Sequence, residues 1–200
     1  MSADRPNVVL LVADDHGLDG GCYGTASPLT PSLDRIAVDG VRFTNAFCTT
    51  ASCAASRSVI LTGLHNHTNG TFGHVHGRHH FSCFEDVVSL PVMLKDVGYR
   101  TGRIGKYHHA PASVFPFDDE LPAAGRNDVQ MSENCRPFIE ADEPFFLYLA
   151  FNAPHWPLEA KPEILDKYVG RFMGGWDQLM EDRHARMVEM GLIDPRLTPA

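Results

Sequence analysis

Residues 7–13 read NVVLLVA, a short apolar run that is followed at once by two acidic residues, Asp14 and Asp15. A valine-rich run of this length is typical of a strand that is buried on both faces, as strands are in a parallel sheet. A second apolar run, FFLYLAF, occupies residues 145–151. We therefore expect two buried strands that lie far apart in the sequence.

The other predicted elements alternate between helices and strands. We expect helices over residues 31–39, 54–61, 90–97 and 176–190, and strands over residues 41–47 and 99–104. Residues 110–144 are rich in Pro, Asp, Glu and Asn, and we expect them to form irregular surface. Strands that alternate with helices favour an α/β layered fold with a largely parallel sheet. In such folds, ligands bind at the carboxyl ends of the strands.

The composition is that of an ordinary globular protein. The 200 residues are 44% hydrophobic and 21% charged, and the formal net charge is -8. An acidic surface argues against nucleic acid or an anionic membrane as a partner. No signal peptide and no membrane span of ~20 apolar residues is visible, so we expect a cytoplasmic protein. The five cysteines form no CxxC pair, which disfavours a disulfide framework or a structural zinc site.

The most specific pattern is CAASR at residues 53–57, with Thr62 and Gly63 behind it. A cysteine at the amino terminus of a helix is activated by the positive end of the helix dipole. Arg57 lies one turn further on the same face. This pairing suits a nucleophile that attacks an anion. For an arbitrary cysteine, a small buried residue before a helix would be the favoured interpretation.

Three more strand ends carry candidate functional residues. Asp14 and Asp15 repel each other unless a cation or hydrogen-bond donors separate them, and Ca²⁺ or Mg²⁺ suits their oxygens. Lys106 and His108 follow the strand predicted over residues 99–104, where they could bind an oxyanion and exchange a proton. His155 follows the second apolar run between prolines that favour a rigid, extended backbone. Taken singly, the first two are better explained by solvated turns, and the third equally well by a packed corner.

Histidines are concentrated in one glycine-containing loop. They are His65, His67, His74, His76, His79 and His80. Such a cluster could bind a transition metal. We favour a polar loop near an anionic site over a dedicated metal site.

Taken together, these segments resemble the type I, formylglycine-dependent sulfatases of the alkaline-phosphatase-like superfamily. Residues 53–63 match the family's first signature, Cys-x-Pro/Ala-Ser-Arg followed by Thr-Gly. Residues 98–108 match the second, GYxTxxxGKxH. Residues 60–118 are most similar to the sulfamidase branch, and residues 152–200 to the bacterial arylsulfatases. The resemblance implies an alkaline-phosphatase-like layered fold, α/β, with a largely parallel central sheet flanked by helices.

The resemblance also implies a covalent and a metal cofactor. Cys53 would be oxidised to formylglycine by a maturation enzyme, and the hydrate of that aldehyde would supply the hydroxyl that attacks sulfur. Asp14, Asp15 and the modified Cys53 would hold one divalent cation, usually Ca²⁺ in this family.

Four more roles follow from the same resemblance. Arg57 would steady the formylglycine and offset negative charge. Lys106 would bind a sulfate oxygen. His108 would hydrogen-bond to the hydrate and take up its proton, and His155 would contact the leaving group, as a general acid.

The implied function is hydrolysis of sulfate esters or sulfamates of a small molecule or glycan. The alternatives are a phosphodiesterase or phosphonate monoester hydrolase of the same superfamily, and a truncated, non-catalytic chain. Residues 1–157 would be the amino-terminal part of the catalytic domain, and residues 158–200 a helical continuation. In the family, the later half supplies an Asp-Asn (or Asp-Gln) metal pair and a second sulfate-binding basic residue, and no Asp-Asn-Gly motif follows residue 157. We therefore expect half of the protein ligands of the cation, and the carboxyl-terminal half of the domain, to be absent.

Overall fold

The computed structural model describes residues 5–25 and 28–197. The chain divides into two compact units, the first formed by the residues up to Asp15 together with Cys48–His155. The second unit is formed by His16–Phe47 and the residues from Trp156 onward. Within the described ranges, no helix combines the length and the apolar character that crossing a membrane requires. The predicted boundary of the catalytic segment at residue 157 stays a prediction.

The first unit contains a parallel sheet of four strands in the order β1-β4-β2-β3. The strands are β1 (Val8–Asp14), β2 (Arg100–Gly105), β3 (Asp119–Glu120) and β4 (Phe145–Pro154). Three of them confirm strands predicted from apolar runs and spacing. The parallel arrangement of the sheet is confirmed as well.

The burial predicted for β1 is wrong. Among the described residues, β1 pairs with β4 alone and forms an edge of the sheet, and most of its side chains are exposed, Leu11 to 52%. β4 lies between β1 and β2, and its residues 145–150 are all buried. The apolar run therefore identified both strands, but burial depends on the segments that pack over the two faces of a strand, and these cover β4 more completely than β1.

The helices flank the sheet or form the second unit. They are α1 (Pro31–Asp39), α2 (Cys53–Thr62), α3 (Asn66–Asn69), α4 (Leu90–Asp96), α5 (Asp128–Asn134), α6 (Arg136–Ile139), α7 (Pro162–Leu165) and α8 (Gly175–Glu189). The predicted helices correspond to α1, α2, α4 and α8. α2 ends where predicted, at Gly63, whose φ of 67° is the left-handed conformation that glycine tolerates best.

Alternate residues of β4 face two different hydrophobic clusters, as the pleat of a strand requires. Phe146 and Tyr148 pack in one cluster with Leu61 of α2, whereas Phe145 and Leu147 pack in the other. The second cluster also contains residues of α5 and α6. Helical segments therefore contribute to the packing on both faces of the sheet, which confirms the predicted α/β layered architecture.

The interpretation of residues 110–144 as irregular surface is wrong. This segment contains β3, α5 and α6, and Met131, Cys135 and Phe138 are buried in the core. These three residues are spaced as i, i+4 and i+7, which is the spacing of one helix face. The strongly polar composition around them obscured that signal.

The second unit contains α1, α7 and α8. α8 is tied to the loop after β1 by an ion pair of 2.9 Å between Arg183 and Asp19. The strand predicted over residues 41–47 does not form, and Phe47 is 90% exposed. An alternating pattern makes a strand only when a neighbour accepts its hydrogen bonds, and the described part of this unit contains no strand.

Candidate active site

The predicted functional residues lie in the first unit, at one edge of the sheet. β1 ends at Asp14, β2 at Gly105 and β4 at Pro154. Because these strands are parallel, their carboxyl ends meet at the same edge, where ligands bind in α/β folds. Lys106 directly follows β2, and His155 directly follows β4.

Asp14 is the buried anion of this edge, with 5% of its surface exposed. A register shift between Val12 and Asp14 brings Asp14 opposite Pro154 of β4. Its carboxylate contacts the ammonium of Lys106 and lies 3.6 Å from Nη2 of Arg57. Burial alone would raise the pKa of Asp14, but the hydrogen bond from Lys106 and the two positive charges outweigh it and lower the pKa. The carboxyl group is therefore ionised at neutral pH.

Asp15, the next residue, is more exposed and has a left-handed backbone with a φ of 61°. Asp is one of the residues that tolerate this conformation. Oδ2 of Asp15 lies 3.7 Å from Nε2 of His155. The end of β1 therefore supplies two carboxylates to the site, one buried against cations and one directed toward the end of β4.

Cys53 is the first residue of α2 and is half-buried. Its Sγ lies 3.6 Å from Nζ of Lys106, and its side chain also hydrogen-bonds to Asp14. A potential metal-binding group is formed by Asp14, Cys53 and His155. Each offers one ligand atom, and the three atoms lie within 4.8 Å of one another. The structure thus brings Cys53 of the first signature together with residues at the ends of three different strands.

Arg57 provides a buried, fixed positive charge next to Asp14 and the backbone of Lys106. It is 2% exposed, and its Nη1 donates hydrogen bonds to the backbone oxygen of Lys106 at 2.9 Å and to the hydroxyl of Tyr148 at 2.8 Å. Its Nη2 is buried without a hydrogen-bond partner among the described residues. The charge of Arg57 is balanced by Asp14 at 3.6 Å. Sequence reasoning missed Tyr148, although its hydroxyl is the one polar side-chain group in FFLYLAF.

His108 is positioned differently from the other predicted residues. Its Nε2 lies 2.8 Å from Nδ1 of His76, so the ring is paired with a histidine rather than with Cys53. Burial, together with the nearby charges of Lys106, His76 and His74, lowers the pKa of His108 to about 4. His108 is therefore a neutral imidazole at pH 7.

The donor set at Asp14 and Asp15 fits a divalent cation. Two adjacent carboxylates, one of them held ionised, are the oxygen ligands that Ca²⁺ and Mg²⁺ prefer. Cys53 and His155 place two further ligand atoms next to Asp14, so the chain has groups that could hold a metal ion. In the structure, the ammonium of Lys106 is a positive charge that contacts the carboxylate of Asp14 directly.

Comparison with known proteins agrees with these observations. The chain is 41% identical over 169 residues to the N-sulphoglucosamine sulphohydrolase of Homo sapiens, an alignment that covers 80% of this chain and 34% of that protein. It is 28% identical to the arylsulfatase of Klebsiella aerogenes, over 95% of this chain and 52% of the relative. The chain thus spans about a third of the human relative and about half of the bacterial one.

The fold agrees with solved structures as well. A protein solved in complex with its substrate, D-glucosamine-2-N,6-O-disulfate, superimposes with a TM-score of 0.70 and 25% identity, over 85% of this chain and 39% of that protein. The predicted alkaline-phosphatase-like fold is confirmed. The model of the family described as "Sulfatase" matches residues 6–191. With that match over nearly its whole length, this chain belongs to the sulfatase family.

Proposed function

We propose that this protein hydrolyses sulfate esters or sulfamates, and that position 53 provides the nucleophile after conversion of Cys53 to formylglycine by a maturation enzyme. The observation that carries the proposal is the convergence of the two signatures at one edge of the sheet. Cys53 of the first signature lies 3.6 Å from Nζ of Lys106 of the second, and both side chains contact the buried Asp14.

Two groups would complete the site. Asp14 and Asp15, with the modified residue 53, would hold a divalent cation, for which we propose Ca²⁺. When bound, the cation supplies a positive charge that offsets the negative charge of a sulfate group. The formylglycine hydrate supplies a hydroxyl nucleophile that a cysteine lacks.

The cationic side chains would bind and orient the sulfate group. Lys106 follows β2 and directs its ammonium toward residue 53, where it would donate a hydrogen bond to a sulfate oxygen. Arg57 is fixed by Tyr148 and by the backbone of Lys106, so its charge needs no rearrangement during the reaction. Preorganised charges of this kind stabilise the negative charge that develops in the transition state.

Two histidines would move protons. His108 is neutral at pH 7 because burial lowers its pKa to about 4, so its ring can accept a proton from the nucleophile. His155 lies 3.7 Å from Asp15, a carboxylate that can orient the imidazole. We assign to His155 the donation of a proton to the leaving oxygen or nitrogen.

The proposed substrates are sulfated small molecules or glycans. The human relative is named for its action on N-sulphoglucosamine, and the solved relative was crystallised with a glucosamine that carries both N-linked and O-linked sulfate. An N-sulfated amino sugar is therefore the first substrate to test.

The test is turnover by the protein co-expressed with a formylglycine-generating enzyme and assayed with Ca²⁺. The substrates are N-sulfoglucosamine, an aryl sulfate and an aryl phosphodiester. We expect sulfate release that is lost in Cys53→Ala and retained in Cys22→Ala, which changes a different cysteine. Faster cleavage of the phosphodiester would favour a phosphodiesterase, and no turnover of any substrate would favour a non-catalytic chain. Either result would overturn the proposal.

A further inference from the structure

Three histidine rings of the first unit lie against one another. Sequence reasoning placed His74 and His76 in a polar loop, and the structure packs both onto His108 of the second signature. The ring centroids are 4.8 Å apart for His76 and His108, 5.8 Å for His74 and His108, and 5.2 Å for His74 and His76.

The ring nitrogens converge as well. One nitrogen from each of the three histidines lies within 4.8 Å of the other two. Nε2 of His108 and Nδ1 of His76 are 2.8 Å apart. Two nitrogens on one tetrahedral Zn²⁺ ion lie about 3.3 Å apart, given Zn–N bonds of about 2.0–2.1 Å. Small rotations of the rings would therefore bring all three nitrogens onto one ion.

The polar groups of this cluster are incompletely satisfied. Nδ1 of His74 and Nδ1 of His108 are buried and have no hydrogen-bond partner within the described residues. A buried polar atom without a partner is unfavourable, so native structures rarely leave one unexplained. An imidazole in its neutral form has the lone pair that a metal needs.

We propose that His74, His76 and His108 form a binding site for a transition-metal ion of the Zn²⁺ class. Neutral imidazoles suit Zn²⁺, Cu²⁺ and Ni²⁺, whereas Ca²⁺ and Mg²⁺ prefer oxygen ligands. The site shares no side chain with Asp14, Cys53 and His155, which form the other group among the described residues that could hold a metal. The proposal departs from the sequence-based interpretation, which favoured a polar loop over a dedicated metal site.

Occupation of the site would have a consequence for catalysis. His108 cannot bind a metal through its lone pair and also accept a proton from the nucleophile there. Zn²⁺ at micromolar concentrations would therefore inhibit hydrolysis that depends on Ca²⁺. This consequence rests on the proposed function, whereas binding of the metal does not.

The binding test is calorimetric titration of Zn²⁺ into the protein, carried out in excess Ca²⁺. Every variant carries Cys53→Ser, because the cysteine sulfur near Asp14 is a competing zinc ligand. His76→Ala and His74→Ala each remove one proposed ligand. His79→Ala is the matched control, because His79 is in the same loop and stacks on Phe81 outside the cluster.

We expect one Zn²⁺ site whose affinity is unchanged in His79→Ala and falls by ~10–100-fold or more in His76→Ala and in His74→Ala. Mutation of residues that only support metal ligands already lowers metal affinity by about that much. The visible spectrum of bound Co²⁺ should weaken in the same two variants. Equal Zn²⁺ affinity in His76→Ala, His74→Ala and His79→Ala would overturn the proposal. Circular dichroism checks that each variant is folded. Because position 53 is serine throughout, the result is independent of any hydrolytic activity.

Discussion

Replacing His109 by phenylalanine should make the protein more resistant to acid. His109 is 8% exposed, and neither of its ring nitrogens has a hydrogen-bond partner among the described residues. The ring stacks on Phe115 with centroids 4.6 Å apart, so a phenyl group fits the same environment. Burial lowers the pKa of His109 from 6.5 to about 3, with smaller contributions from the charges of Arg57, His108 and Arg103.

The size of the effect follows from proton linkage. Below pH 6.5 the unfolded chain protonates His109, whereas the folded protein keeps it neutral down to about pH 3. Over that interval the unfolded state binds more protons, so the free energy of unfolding falls as the pH falls. Between pH 8 and pH 5, His109 alone accounts for a loss of about 2 kcal/mol. His109→Phe removes this loss and two unsatisfied buried nitrogens.

The assay is urea unfolding at pH 8 and pH 5 in EDTA, followed by circular dichroism. The loss between the two pH values should be smaller in His109→Phe than in the unaltered protein by about 2 kcal/mol. Tyr107→Phe is the control. Its hydroxyl donates to the backbone oxygen of Phe115 at 3.0 Å, and burial raises the pKa of Tyr107, so it does not titrate in this range. The same pH dependence in His109→Phe as in the unaltered protein would refute the reasoning.

Two further predictions concern the end of β2. Lys106→Met removes the ammonium from the buried carboxylate of Asp14, which should raise the pKa of Asp14 and lower the free energy of unfolding at pH 7 by about 1–3 kcal/mol. Lys106→Arg keeps the charge and should lose less in urea titrations, so equal losses would contradict the role of the charge. Gly105→Ala should cost more than ~4 kcal/mol, because φ is +88° and the added Cβ would lie 2.0 Å from the backbone oxygen of Ala150. Gly63→Ala, with φ +67° but no neighbouring atom within 4 Å, should cost only about 1–2 kcal/mol, and similar thermal midpoints for the two variants would contradict the steric argument.

Local sequence patterns predict where helices and strands form better than they predict which of their residues are buried. The apolar run of β4 and the glycine after α2 are local signals, and both elements form as expected. The exposure of Leu11 depends on which segments pack over the faces of β1, and this packing is set by contacts far apart in the sequence. The helices α5 and α6 were missed because three apolar residues at helical spacing stand among many polar ones.

The residues of the candidate site likewise divide into those that local patterns predict and those that depend on contacts between distant segments. Asp14, Lys106 and His155 could be proposed because polar residues at the ends of parallel strands meet at one edge. Tyr148 and the packing of His76 on His108 depend on which side chains meet across the folded unit, and no spacing in the sequence encodes that.

The central claim is that Cys53 is the precursor of the nucleophile. The most direct measurement is mass spectrometry of the peptide that contains residue 53, after co-expression with a formylglycine-generating enzyme. The buried Cys83 and Cys135 in the same sample serve as internal controls and should remain thiols. We predict that residue 53 is recovered as the lighter aldehyde, and recovery of an unmodified thiol there would contradict the account.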